Sequence, residues 1–216
     1  MKKILQRVKL NPYWKLLYYL PIHLAAFALI ERITQGRVCW ATDLPLDQMI
    51  PFCEWFVFFY LIWFPFMILP GIYWLLNEPE TFRRYMLSVI LGFSISMAVC
   101  FVFPNYQPLR PDPVPRQNIA SALVRFLYAI DTNENVFPSM HVVGAALVVF
   151  ACRYSPAARS KPFLLPVCAV LSVLIMLSTL MIKQHAVLDV VAALALCVPL
   201  YAAIYGKRCF RALRLH

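Results

Sequence analysis

Long apolar segments without charged residues are the feature that most constrains how this chain can fold. Three of them, residues 55–76, 85–106 and 162–182, contain no Asp, Glu, Lys or Arg. About 20 apolar residues in a helix span the roughly 30 Å hydrocarbon core of a bilayer, and a helix satisfies its own backbone hydrogen bonds there. These segments therefore predict transmembrane helices and exclude a water-soluble domain.

Three further segments are either shorter or carry an ionisable residue. Residues 16–30, 136–152 and 187–205 each include one His or Asp. Because the sequence is 62% hydrophobic and only 14% charged, we count these segments as spans too. The sequence therefore predicts an all-α, polytopic membrane protein with six transmembrane helices in a single domain, residues 1–216.

The first span has an alternative interpretation. Basic residues precede it, and Ala26-Phe27-Ala28 fits the cleavage site of a signal peptide. The apolar run continues past this site to Ile30, which favours a span.

The basic residues are distributed asymmetrically around the six spans. Over alternate connecting segments, fourteen Lys and Arg fall on the side of both termini and six fall on the other side. Since Lys and Arg accumulate in the cytoplasm, both termini are predicted to be cytoplasmic, and residues 104–138 and 183–185 to share the extracytoplasmic face. This flanking pattern accounts for the net charge of +10, so the expected partner is a lipid bilayer and not nucleic acid.

The long third loop has two parts. Five prolines between residues 104 and 115 exclude a helix there. From Asn118 to Asp131, apolar residues recur at helical spacing, which predicts a short amphipathic helix at the membrane interface. The apolar positions are Ile119, Ala122, Leu123, Phe126, Leu127 and Ile130.

A first polar cluster precedes the fourth span, in the segment Asn135-Val136-Phe137-Pro138-Ser139-Met140-His141. A polar residue and a proline before an apolar run are typical of a helix start. The free N–H groups of such a start suit an anion such as phosphate. The structural alternative is that Asn135 or Ser139 only caps the helix and His141 anchors it at the interface.

A second polar cluster contains Ser178, Thr179, Lys183, His185 and Asp189. His185 and Asp189 are four residues apart, so they share one face of a helix. A carboxylate that orients one ring nitrogen makes the other a better nucleophile or base. The structural alternative is a helix start at which Asp189 favours the dipole and His185 is interfacial.

Together the two clusters predict phosphoryl transfer. Two histidines supply a nucleophile and an acid, while Arg110, Lys183 and helix N–H groups stabilise the charge of the transferring group. No group of carboxylates suggests a magnesium site, and the seven cysteines lack a CxxC spacing. The expected chemistry therefore uses no metal and no cofactor.

Three motifs within residues 85–206 resemble those of the type-2 phosphatidic acid phosphatase superfamily. The family patterns, on a six-span helical core, are K-x6-R-P, P-S-G-H and S-R-x5-H-x3-D. The corresponding segments here are Arg110-Pro111, Pro138-Ser139-Met140-His141 and Ser178-Thr179-x5-His185-x3-Asp189.

This resemblance implies a role for each matching residue. His185 attacks phosphorus to form a phosphohistidine, Asp189 orients His185, and His141 protonates the leaving group. The phosphate oxygens are bound by Arg110, by Ser139 and by the backbone N–H of Met140, which replaces the glycine of the family motif.

The chain departs from the family at two cations. Phe103 stands where the family has the lysine of the first motif, and Thr179 where it has the arginine of the third. Lys183 or Arg116 is the expected substitute, and Asn135 and Thr179 are further candidates for phosphate binding. The segment 137–141 with a third motif lacking arginine also resembles the inositol phosphorylceramide and sphingomyelin synthases.

The sequence therefore predicts a metal-independent membrane lipid phosphatase that hydrolyses a lipid phosphate or diphosphate at the outer membrane interface. A phospholipid or sphingolipid headgroup phosphotransferase is the alternative at the same site. The two missing cations leave an inactive lipid-binding or transport protein as a third interpretation.

The sequence also predicts positions or roles for several residues outside the motifs. Asp43, Asp47 and Glu54 are expected at the membrane interface, although Glu54 could also touch substrate. Asp131 and Asn133 are expected to shape the start of the fourth span or to contact a polar acceptor. The aromatic residues of the second span, Trp63 among them, are expected to serve in packing and lipid contact.

Overall fold

The computed structural model describes residues 2–34, 36–37 and 39–206. In this part of the chain two short strands, β1 (Trp40–Ala41) and β2 (Asn105–Tyr106), pair in parallel. The nine helices are α1 (Lys2–Leu10), α2 (Tyr19–Thr34), α3 (Val57–Asn77), α4 (Pro79–Val102), α5 (Ile119–Ile130), α6 (Met140–Tyr154), α7 (Pro156–Ser160), α8 (Leu164–Met181) and α9 (Val187–Tyr205). Short 3-10 turns form at Trp14–Tyr18, Pro45–Met49 and Glu54–Phe56. The basic residues at 207–214, which count toward the predicted topology, lie outside the described residues.

Five of the six predicted spans contain helices long and apolar enough to cross a membrane, which indicates an integral membrane protein. With the short turns that precede two of them, these are Trp14–Thr34, Glu54–Asn77, Pro79–Val102, Leu164–Met181 and Val187–Tyr205. The fourth predicted span is α6, which has 15 residues and rises only about 22 Å. The six-span architecture therefore stays a prediction.

α4 begins earlier than the uncharged segment from Tyr85 onward suggests. Its first turns contain Glu80, Arg83 and Arg84, and the Glu80 carboxylate lies 2.9 Å from both guanidinium groups. Hydropathy alone placed the boundary too late, because paired charges at i, i+3 and i, i+4 are compatible with a helix.

α6 lies at the centre of the bundle, in contact with α3, α4, α8 and α9. Most of its residues are buried, and many are small, so the neighbouring helices approach closely. At Gly92 in α4, an added Cβ would lie 2.9 Å from Val143 Cγ1 and 3.2 Å from Leu200 Cδ1. The lack of a side chain at Gly92 therefore sets the spacing of α4 to α6 and α9.

The connections that carry the predicted site meet at one end of the bundle. β1, which follows α2, pairs with β2, which follows α4. The Cys53 N–H donates to the Met181 carbonyl at 2.9 Å, and Gln107 Nε2 donates to the Lys183 carbonyl at 2.7 Å. Residues 104–138 and 183–185 thus lie at the same end, as an alternating topology requires.

α5 forms where the spacing predicts a helix, but its packed face differs from the predicted apolar stripe. The buried residues are Ala120, Ser121, Val124 and Leu127, and this face packs on Val57, Tyr60 and Ile182. Ile119, Phe126 and Ile130 of the predicted stripe are exposed. The helix thus has apolar residues on two sides, and the side with the smaller residues packs on the bundle. The exposed apolar side is available for lipid, while its position at the membrane interface stays a prediction.

Replacing Gly92 by Ala should destabilise the bundle by about 1–3 kcal/mol, because the added methyl group overpacks the contact between α4 and α6. The measurement is thermal unfolding of the purified protein in detergent micelles. Gly71→Ala is the matched control, since its added Cβ would approach only the Tyr85 ring, at 3.2 Å. An equal fall in melting temperature for both variants would contradict the role given to Gly92.

Candidate functional site

The start of α6 is built by Ser139 and by the loop before it. Ser139 is the N-cap residue: its Oγ accepts from the Val142 N–H at 3.4 Å and its carbonyl from the Val143 N–H at 3.0 Å. Among the described residues, no hydrogen bond engages the N–H groups of Met140 or His141. Two free N–H groups at the positive end of a helix dipole form a site for an anion.

The start of α9 lies against the start of α6, but carboxylates already accept from N–H groups there. The Ser139 N–H donates to the Asp189 carbonyl at 3.2 Å. The Asp189 carboxylate accepts from the Ala186 N–H, and the Asp47 carboxylate accepts from the Val187 N–H, both at 2.8 Å. Asp189 thus has the capping role of the structural alternative, and two carboxylates make this helix start unsuitable for a further anion.

His141 and His185 face each other at this junction, with ring centroids 5.7 Å apart. His185 Nδ1 lies 3.4 Å from Asp189 Oδ2, slightly longer than a hydrogen bond. Catalytic hydrogen bonds are often long before substrate binds. The His185 backbone is fixed because its N–H donates to the Thr179 carbonyl at 3.1 Å. His185 and Asp189 are therefore neighbours, as expected, but the prediction that they share one helix face is wrong. α9 begins at Val187, so His185 lies in the turn before the helix.

Two aromatic rings hold the His141 side chain. The ring centroids of Tyr60 and Trp63, both in α3, lie 4.3 Å and 4.5 Å from the His141 centroid. Trp63 can approach because residue 144 is glycine: an added Cβ there would lie 3.0 Å from Trp63 Nε1. The assignment of Trp63 to packing and lipid contact therefore missed its contact with His141, since nothing in the hydropathy pattern distinguishes it from its aromatic neighbours.

Several buried polar atoms around the histidines have no hydrogen-bond partner among the described residues. They are Trp63 Nε1, His141 Nε2, Gln184 Oε1, His185 Nδ1 and Asp189 Oδ1. Such atoms are uncommon in proteins, so their concentration at one place is typical of a site for a polar ligand.

Arg110 lies beside this junction and binds the C-terminal end of α5. Its guanidinium donates to the carbonyls of Tyr128, Asp131 and Thr132 at 3.3, 2.8 and 2.8 Å, and it stacks on the Tyr128 ring at 4.4 Å. Burial lowers the pKa of Arg110, and the nearby Asp131 carboxylate opposes this shift. None of its described hydrogen bonds reaches a histidine or Ser139, although Nε is buried without a partner among the described residues.

Lys183 and Arg116, the expected substitutes for the missing cations, both have protein acceptors. Lys183 Nζ donates to the carbonyls of Asp47 and Ile50 at 2.8 and 2.7 Å. Burial lowers the pKa of Lys183, and the Asp47 carboxylate opposes the shift. Arg116 Nη1 donates to the Glu54 carboxylate at 2.7 Å. Both cations therefore join loops at this end of the bundle.

The remaining candidates lie around the same junction. Thr179 Oγ1 donates to the Met176 carbonyl within its own helix, at 2.7 Å. Asn135 has a positive φ of 54° and its Nδ2 donates to Thr34 Oγ1 at 2.9 Å, while its Oδ1 is buried without a partner among the described residues. Phe103, in place of the family lysine, is exposed at the end of α4.

Asp47 and Glu54, which are expected at the membrane interface, are both buried within the protein. Asp47 is 1% exposed and Glu54 is 0% exposed. Glu54 accepts from Arg116 and, at 2.9 Å, from Asn118 Nδ2, whose own Oδ1 caps α5. Asp47 also accepts from the nearby Leu44 N–H at 2.8 Å. The contacts with Arg116 and Val187, however, link residues 62 or more positions apart, so no local pattern could have indicated them.

A polar cleft of about 540 Å³ opens beside Arg110, between the end of α2 and the segment after α5. Its lining includes Glu31, Arg32, Arg110, Thr132, Asn133 and Glu134. Carboxylates, amides and guanidinium groups in one cleft suit a ligand with hydroxyl groups or with charges of both signs.

The fold and the site define a polytopic helical membrane protein with two histidines at the meeting of two helix starts. The family model of the PAP2 superfamily matches residues 25–203. The chain therefore belongs to the PAP2 superfamily, and the resemblance to the type-2 phosphatidic acid phosphatases is confirmed. Membership supports a phosphatase or phosphotransferase type of function. A search of curated proteins found no match to the chain.

Replacing Lys183 by Met should lower the free energy of unfolding by about 1–3 kcal/mol, because two carbonyl groups near a buried ammonium lose their donor. The measurement is thermal unfolding in detergent, with Lys161→Met, an exposed lysine, as the control. If Lys183 instead serves mainly to bind phosphate, its replacement will leave the melting temperature unchanged and weaken binding of inorganic phosphate.

Proposed function

We propose that this protein is an integral membrane lipid phosphatase that acts through a phosphohistidine on His185. The observation that carries the proposal is the arrangement at the start of α6. There, two histidine rings 5.7 Å apart lie next to the free N–H groups of Met140 and His141. A nucleophile, an acid and an anion site are the three elements that metal-free phosphoryl transfer needs.

In the first step, His185 attacks phosphorus through Nε2. Asp189 lies next to Nδ1, which favours the tautomer with its proton on Nδ1 and the free electron pair on Nε2. A P–N bond forms, the P–O bond to the lipid breaks, and the leaving oxygen takes a proton from His141. The products are a phosphohistidine and a lipid alcohol, or a lipid monophosphate when the substrate is a diphosphate.

In the second step, water replaces the lipid alcohol. His141, now neutral, accepts a proton from the attacking water, the P–N bond breaks, and inorganic phosphate leaves. The contacts of His141 with Tyr60 and Trp63 keep the ring in one orientation for both proton transfers.

The negative charge of the phosphoryl group is stabilised by the start of α6, Ser139 and Arg110. The N–H groups of Met140 and His141 are fixed dipoles that need no reorganisation during the reaction. Lys183 and Arg116 act indirectly, because their acceptors are backbone carbonyls and Glu54. This division explains how the protein works without the two motif cations.

The substrate reaches the site from the extracytoplasmic leaflet. The protein has six transmembrane spans, and both termini are in the cytoplasm. The buried position of α6 supports counting it as a span despite its length, because neighbouring helices and not lipid surround it. The exposed Ile119, Phe126 and Ile130 of α5 support an interfacial position for this helix.

This topology predicts opposite results for two reporters fused after residue 216 in bacterial cells. Green fluorescent protein should fluoresce and alkaline phosphatase should be inactive, because the C-terminus is cytoplasmic. An active alkaline phosphatase fusion would contradict both the orientation and an even number of spans with a cytoplasmic N-terminus.

Headgroup transfer at the same site is the second candidate, and the cleft beside Arg110 favours it. Its carboxylate and amide groups could bind the hydroxyl groups of an alcohol acceptor. An acceptor oxygen would then attack the phosphohistidine in place of water and form a new phosphodiester. In this reaction the headgroup stays on the transferred phosphorus, so the donor lipid must be a phosphodiester.

Replacing His185 by Ala should lower phosphate release on the order of 10³-fold or more, because no covalent intermediate can form. The measurement is release from phosphatidic acid and from a lipid diphosphate in mixed micelles with chelator. His141→Ala should also stop turnover but still accumulate phosphohistidine from a substrate whose leaving group needs no proton. His23→Asn is the matched control, since the described ring contacts of His23 are with Tyr19 and Phe93 and not with His141 or His185.

Full activity in His185→Ala would show that the mechanism is wrong. A wild-type protein that releases no phosphate, but converts a phosphodiester lipid when an alcohol is supplied, would establish the transferase instead. A protein that does neither would be a binding or transport protein.

A further inference from the structure

We propose that Asp131 is a positioning residue that orients both histidines of the site, which it does not itself touch. The inference rests on the roles of His141 and His185 in the proposed function. Asp131 is the first residue after α5 and lies outside the three motifs.

One carboxylate oxygen of Asp131 joins two segments of the site. Oδ2 accepts from the Tyr60 hydroxyl at 2.8 Å and from Gln184 Nε2 at 2.9 Å. The Tyr60 hydroxyl and Gln184 Nε2 are themselves 3.5 Å apart. The three side chains come from α3, from the end of α5 and from the link before α9, so Asp131 connects elements that are distant in sequence.

Each of the two donor residues, Tyr60 and Gln184, is next to one histidine. The Tyr60 ring packs 4.3 Å from the His141 ring, and Tyr60 is only 1% exposed. The hydrogen bond to Asp131 therefore fixes the ring that orients His141. Gln184 directly precedes His185, and the N–H groups of both residues donate to the Thr179 carbonyl at 2.9 and 3.1 Å.

Asp131 itself is held by Arg110. The guanidinium donates to the carbonyls of Asp131 and Thr132, both at 2.8 Å, so the end of α5 is tied to the loop of the first motif. A carboxylate accepting two hydrogen bonds forms stronger contacts than a neutral acceptor. The unpartnered Gln184 Oε1 leaves Nε2 as the group that sets the orientation of this side chain.

The direct test is nuclear magnetic resonance of the imidazole groups in the full-length protein, labelled at histidine, in detergent micelles. Asp131→Ala should shift the His141 and His185 resonances and leave that of His23 in place. Asp131→Asn keeps an acceptor for both donors, so it should restore signals close to those of the wild type. Asp112→Ala, an exposed carboxylate, is the matched control.

Tyr60→Phe tests the contact through Tyr60 to His141 separately from the contact through Gln184 to His185. It also replaces Asp131→Ala as the test if that variant does not fold. It keeps the ring beside His141 but removes the hydroxyl, so the His141 signal should move more than the His185 signal. The proposal is overturned if the shifts of His141 and His185 in Asp131→Ala, or of His141 in Tyr60→Phe, are no larger than that of His23.

Turnover of phosphatidic acid gives a second readout. Asp131→Ala should lower kcat about ten- to hundredfold with KM changed less than about threefold, because small displacements of reacting groups slow the chemical step. A raised KM with unchanged kcat would overturn the proposal and make Asp131 a direct contact for substrate or acceptor. If the wild-type protein turns over no phosphorylated lipid, the proposed function fails, while the imidazole signals still decide whether Asp131 orients the histidines.

Discussion

The hydrogen bond from the Ser139 N–H to the Asp189 carbonyl is the interaction on which the rest of the site depends. It joins the start of α6, whose first turn carries His141, to the first turn of α9, which directly follows the link with His185. These segments are far apart in sequence. The central position of α6 makes this bond possible, because close packing against α4 and α9 leaves little freedom for either helix to slide. This hydrogen bond therefore sets the distance between the two imidazole rings.

The two helix starts that meet there have opposite electrostatic character. The start of α9 is compensated by the carboxylates of Asp47 and Asp189, whereas the start of α6 has only the neutral hydroxyl of Ser139. An anion is therefore attracted to one helix and repelled from its neighbour. In the proposed mechanism, this asymmetry directs phosphate toward the start of α6, next to His141, without the two motif cations that this chain lacks.

The sequence predicted five spans that form apolar helices, and the superfamily, because hydropathy and motif spacing are local properties. His185 and Asp189 lie close together, but the prediction that they share one helix face was wrong, since α9 begins only at Val187. The long-range contacts of Asp47, Glu54 and Lys183 could not be predicted, since these hydrogen bonds link segments 60 or more residues apart. Hydropathy places carboxylates at a surface, and only the packed fold provides the donors that permit their burial.

The position of α6 relative to α4 has a consequence for the path of a lipid. Gly92 lies ten residues before the end of α4 but packs against Val143, only three residues into α6. α4 therefore continues roughly two turns beyond His141, so the histidines are recessed relative to the end of this helix. In the proposed reaction, a phosphate headgroup therefore has to pass the end of α4 before it reaches either histidine.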